Sequence, residues 1–69
     1  MPKPMKRRDV ERALSRIGAT LVRDKGEHTI YRCTCGQHQT ALPRHTDITT
    51  GVVGSIIKQL PCAPKGWLQ

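Results

Sequence analysis

Three histidines, His28, His38 and His45, and three cysteines, Cys33, Cys35 and Cys62, carry most of the chemistry open to this 69-residue chain. Histidine exchanges protons near neutral pH because its unperturbed pKa is about 6.5. His28 opens a segment of strand composition and reads either as a proton-transfer group or as a half-buried strand residue. His45 follows Pro43-Arg44 and reads as a second acid–base group, a phosphate contact or a loop-ordering residue. His38 stands beside a turn and is expected to be solvated. The cysteine count is odd and no secretory segment accompanies it, so small buried thiols are expected rather than a disulfide framework. Cys33, Cys35, His38 and His45 lie close in sequence, which raises a metal site. Structural zinc ordinarily separates paired cysteines by two or more residues. Here the spacer is the single Thr34, no second pair follows, and the expectation is no metal.

Charge adds a partner class. Lys plus Arg number 12 against 5 Asp plus Glu, a net charge of +7. A strongly basic small domain with clustered cations carries the electrostatic footprint of a polyanion binder, most often nucleic acid. Lys3, Lys6, Arg7, Arg8, Arg12 and Arg16 all fall near the start of the chain. They read as a phosphate-contacting surface or as a solvated helix face. Lys6, Arg7 and Arg8 would oppose the dipole of a helix beginning there, a modest cost that suits contact with RNA. Tyr31 and Trp67 are the only aromatic residues besides histidine. That scarcity argues against stacking platforms for single strands and leaves phosphate contacts or recognition by shape. A Gly-rich phosphate loop is missing, so no nucleotide cofactor is expected. No apolar run suits a membrane span and no h-region follows the basic start, so the expected setting is cytoplasmic.

The elements that would position these residues follow from periodicity. Residues 1–5 read as a loose basic arm. From Lys6 to Ile17, Val10, Ala13, Leu14 and Ile17 fall at i, i+3, i+4 and i+7, one apolar helical stripe. Gly18 stands where a helix favours its left-handed closing residue. Ala19–Arg23, His28–Cys33 and His38–Leu42 read as strands joined by two polar turns, an antiparallel meander. Alternation gives a mixed pattern on either face of the second strand: His28, Ile30 and Arg32 share one side, Thr29, Tyr31 and Cys33 the other. Arg44–Ile48 reads as a loop. Thr49 or Thr50 caps a second helix carrying Val52, Val53, Ile56, Ile57 and Leu60, and Pro61 ends it. Thr50 and Gly51 offer helix N-terminal amides to a phosphate or simply begin the helix. Residues 62–69 form a tail. The expected architecture is a single α+β domain over 1–69, of order α-β-β-β-α. Two helices pack on one face of a three-stranded antiparallel sheet, as in double-stranded-RNA-binding domains.

Four segments in this order resemble the HicA toxins of bacterial type II toxin–antitoxin systems. They are the basic helix from Lys6 to Gly18, Gly26-Glu27-His28 with Thr29-Ile30-Tyr31-Arg32, Leu42-Pro43-Arg44-His45, and Thr50-Gly51-Val52-Val53 leading to Ser55-Ile56-Ile57-Lys58-Gln59-Leu60. The resemblance implies a small endoribonuclease acting on mRNA, on the ribosome or free. It implies a HicB-like antitoxin partner, and His28 as the catalytic histidine of a Gly-Ser-His motif. Here Glu27 replaces the serine, and Thr29 stands where many members carry a second histidine. RNA supplies its own 2′-hydroxyl nucleophile, so one proton-transfer group with Lys and Arg around it is a sufficient kit. Lys6, Arg7, Arg8, Arg32, Arg44 and His45 are the candidate RNA contacts, with neither metal nor small-molecule cofactor. Two other readings use the same residues. One is an RNA-binding module of this fold in which His28 is dispensable. The other is a zinc-stabilised adaptor built on Cys33, Cys35 and histidine.

Overall fold

A computed structural model describes residues 3–69. The elements run β1 (Met5–Lys6), α1 (Arg7–Arg16), β2 (Thr20–Lys25), β3 (His28–Arg32), β4 (Gln39–Pro43), β5 (Asp47–Ile48) and α2 (Thr50–Gln59). Strands β2, β3 and β4 form an antiparallel sheet in that order. With α1 before it and α2 after it, the expected α-β-β-β-α order holds.

Helix α1 buries Val10, Ala13 and Leu14, with Ile17 packed partly against the core. Its end is closed by two backbone bonds that point back into the last turn: Gly18 N–H to Ser15 at 3.0 Å and Ala19 N–H to Leu14 at 2.9 Å. That pairing needs a left-handed residue between helix and exit, and Gly18 supplies it with φ 84°. Helix α2 buries Val53 and Ile56, and Leu60 just beyond it is buried too. Thr49 holds the N-cap position, but its side chain makes no capping bond.

The sheet resolves the facing that sequence periodicity leaves open. Thr29 of β3 pairs with Leu42 of β4, and Tyr31 with Thr40. Thr29, Thr40, Leu42 and the following Cys33 are buried, so this face meets the helices. Paired residues share a side, which puts His28 beside Pro43, and Ile30 beside Ala41, on the opposite face. One core joins Val10, Leu14, Leu42, Ile48, Val53, Ile56, Leu60 and Leu68.

Three sequence expectations are corrected. The arm at residues 1–5 is not loose throughout: Met5 pairs with Ile48 and Lys6 with Asp47 in a two-stranded antiparallel ribbon. The same ribbon makes part of the expected Arg44–Ile48 loop a strand, with Ile48 buried in the core. Two-residue strands leave no alternation to read, which is why periodicity missed them. Met1 and Pro2 of the arm lie outside the described residues. The third correction concerns the cysteines, since Cys33 and Cys62 are joined as a disulfide. The chain turns at Pro61 and returns Cys62 to the far end of β3, a proximity no local pattern encodes.

Candidate nucleic-acid interface

His28 is exposed at the first position of β3, paired with Lys25 of β2 and Pro43 of β4. Gly26 turns the chain into it with φ 71°. The residue after Pro43 is thereby carried alongside the turn, and Arg44 N–H donates to the Glu27 carbonyl at 3.2 Å. Gly26, Glu27, Arg44 and His45 line a shallow cleft at this edge of the sheet. A larger open cleft of about 540 Å³ is lined by Lys6, Arg7, Arg8, Glu11, Arg44 and Thr46. Arg44 belongs to both.

The β1–β5 ribbon builds the larger cleft. It lays the start of α1 against the segment leaving β4, and Arg7 N–H donates to the Thr46 carbonyl at 2.8 Å. That bond satisfies one of the helix's first amides, which no side chain caps. Lys6, Arg7 and Arg8 therefore face Arg44 across a groove, although about forty residues of sequence separate them.

Arg7 behaves differently from its neighbours. Its side chain is only 23% exposed. Its Nε donates to the Pro43 carbonyl at 3.1 Å, Nη1 to Glu11 at 3.1 Å and Nη2 to the Thr29 hydroxyl at 2.9 Å. Thr29 in turn donates to Asp24 Oδ1 at 3.2 Å, and Asp24 accepts from Arg44. A chain of polar contacts thus runs Glu11–Arg7–Thr29–Asp24–Arg44 beneath the edge that carries His28. Burial, and then the Glu11 carboxylate, hold the Tyr31 hydroxyl above its ordinary pKa, so it stays neutral beside this chain. Sequence reasoning missed Glu11, Asp24 and Thr29. Asp24 reads as a polar turn residue, and Thr29 as the place of a second histidine; only the tertiary pairing joins them.

The remaining candidates separate. Arg8 and His45 are exposed, and Lys6 is exposed but paired with Asp47. Arg32 is half-buried, its Nε enclosed without a protein partner, and it lines neither cleft. It shares a strand face with His28 but lies further along β3, toward the cysteines. His38, expected to be solvated, is half-buried, with Nδ1 3.1 Å from the Cys35 sulfur. The backbone N–H of Gln37, and then His38, hold the Cys35 thiol below its ordinary pKa.

Fold and site together define a small basic α+β domain of α-β-β-β-α order, with a cationic groove opening beside an exposed histidine. A family model described as the HicA toxin of bacterial toxin–antitoxin systems matches residues 7–60, and the chain belongs to that family. Neither curated proteins nor solved structures give a match. The family makes the chain the toxin of a toxin–antitoxin pair and implies a HicB-type antitoxin as its partner. No helix among the described residues is long and apolar enough to cross a membrane.

Proposed function

We propose that the chain is an endoribonuclease toxin that cleaves mRNA, with His28 as the proton-transfer residue. The observation that carries this is the exposure of His28 on the open sheet face, beside the cleft shared by Arg44 and His45. Membership of the toxin family supports it. In the reaction the RNA's 2′-oxygen attacks the adjacent phosphorus and the bond to the 5′-oxygen breaks. His28 takes the proton of the attacking 2′-hydroxyl, and the departing 5′-oxygen is protonated by the imidazolium so formed or by water. The products are a 2′,3′-cyclic phosphate and a 5′-hydroxyl, so atoms and charge balance without an external nucleophile. Lys6, Arg8, Arg44 and His45 hold the strand and offset the charge developing on phosphorus. Arg7 acts beneath them by fixing Pro43, the residue before Arg44. Arg32 is a phosphate contact further along the same face.

The chemistry needs no dissolved metal. The 2′-hydroxyl is the nucleophile, and His28 with the surrounding cations supplies proton transfer and charge, so cleavage in excess chelator is the expected outcome.

The test is His28→Ala assayed on mRNA with the fold followed by circular dichroism. Loss of one acid–base group lowers the rate by about 10²–10⁴, and RNA affinity changes little because the cations remain. A folded His28→Ala protein that cleaves at the wild-type rate overturns the assignment. One that binds RNA normally, alongside a wild type that never cleaves, establishes a non-catalytic RNA-binding module instead.

A further inference from the structure

At the end of the sheet away from His28, three cysteine sulfurs converge with His38 beside one of them, and the proposed RNA chemistry uses none of the four. The sulfurs of Cys33, Cys35 and Cys62 all lie within 4.8 Å of one another. Cys35 Sγ is 3.3 Å from Cys62 Sγ, and 3.1 Å from His38 Nδ1. We propose that the reduced chain binds one Zn²⁺ through Cys33, Cys35, Cys62 and His38 as a closed structural site.

The geometry fits the ion. With Zn–S bonds of about 2.3 Å, tetrahedral thiolates stand roughly 3.8 Å apart, and the Cys35–Cys62 sulfur spacing needs only a small expansion to meet this. The Cα atoms of Cys33 and Cys62 are 7.2 Å apart. Disulfides usually span about 4.4–6.8 Å between Cα atoms, whereas two thiolates bridged through a metal stand further apart. The segment between Cys33 and His38 is a tight, hydrogen-bonded turn that holds Cys35 and His38 near each other. Gly36 takes φ 76°, its N–H donates to the Cys33 carbonyl at 2.9 Å, and Cys33 N–H donates to the His38 carbonyl at 2.8 Å. Gln37 N–H donates to Cys35 Sγ at 3.4 Å, an outer contact of the kind that orients a ligating thiolate. The one-residue spacer that speaks against zinc in the sequence is answered by Cys62, which arrives from beyond α2. Four protein ligands leave no open position, so the ion would staple rather than catalyse. It would tie the β3–β4 turn to the segment that seats Leu68 in the core.

Zinc and the Cys33–Cys62 bond exclude one another. A dithiol reductant delivers two electrons and two protons to that bond, giving two thiols and the reductant's own disulfide. The ion then forms three Zn–S bonds and one Zn–N bond as three thiol protons pass to solvent.

The test uses the full chain, reduced with a phosphine, stripped of metal and titrated anaerobically with Co²⁺ as a spectroscopic probe. The expected result is uptake of one equivalent, with tetrahedral ligand-field bands and a thiolate charge-transfer band, displaced by Zn²⁺. Zinc should raise the unfolding temperature of the reduced chain. Cys35→Ser and His38→Ala alter one exposed and one half-buried side chain, so both variants should fold, and each should lose at least tenfold in affinity. Absence of Co²⁺ uptake by the reduced chain, octahedral bands, or affinity unchanged in either folded variant would each overturn the proposal. RNA cleavage is not a readout here, so the result is independent of the role assigned to His28.

Discussion

Arg7 and Arg8 are adjacent and identical in chemistry, yet the fold assigns them different work. Arg7 is mostly enclosed and its three donor groups are spent on Pro43, Glu11 and Thr29. Truncating it removes the side-chain donor to the Pro43 carbonyl and leaves the Thr29 hydroxyl with Asp24 alone. Arg7→Ala should therefore cost about 1–3 kcal/mol in denaturant unfolding. Arg7→Lys should recover little, because an ammonium cannot span three acceptors as a planar fork does. Arg8 is exposed. Arg8→Ala should leave stability within about 0.5 kcal/mol while weakening RNA binding. If Arg8 neutralises one phosphate, its loss should also reduce the slope of log affinity against log salt by about 0.7. Equal stability of the two alanine variants would remove the positioning role given to Arg7.

The principal elements were legible where a repeating pattern met a stop signal. Val10, Ala13, Leu14 and Ile17 mark α1, and Gly18 closes it as its position promised. Strand boundaries drifted by a residue or two, because β2 runs through Asp24 to Lys25 while the turn signal at Asp24 shortened it. A register shift between Leu21 and Arg23 also breaks the alternation there. The ribbon of Met5–Lys6 with Asp47–Ile48 had no legible signal, and neither did the meeting of Cys62 with Cys33. Both join distant segments through contacts too short to leave a period. Of the candidate site residues named from the sequence, the fold brings His28, Arg44 and His45 to one edge; that Arg7, on the wall of the larger cleft, spends its donors on Pro43, Glu11 and Thr29 was not legible. The closure of α1 offers a test of how local and tertiary terms combine. A Cβ on Gly18 would meet Thr34 Cγ2 at 2.8 Å, in addition to the left-handed backbone it would have to adopt. Gly18→Ala should lose more than the roughly 1–2 kcal/mol of the backbone term alone. Adding Thr34→Ser removes that methyl and should return the steric part. Strict additivity of the two substitutions would show that the contact contributes nothing.

At the scale of the whole molecule, Lys6, Arg8 and Arg44 lie toward the edge that carries His28, and this geometry sets how a partner could silence the protein. The family implies a HicB-type antitoxin, and the chain it must hold carries a net charge of +7. An acidic surface laid across the groove of Lys6, Arg8 and Arg44 would cover His28 and exclude RNA phosphates in one contact. A partner binding the α2 side would have to act through the core instead, and α2 offers an acidic ligand the single cation Lys58. The expected complex therefore competes with RNA and protects the amides of Gly26 to His28 and of Arg44 to Thr46 from exchange. Long-range attraction between opposite charges speeds encounter and is screened as the Debye length falls from about 10 Å at 0.1 M salt to about 3 Å at 1 M. Association should slow steeply with added salt, while dissociation, governed by short-range packing, changes less. Stopped-flow association of the purified toxin with its antitoxin at several salt concentrations reads both rates. A salt-independent association rate, with exchange protection confined to the α2 face and RNA still bound, would show that the antitoxin acts at a distance from His28 rather than by covering it.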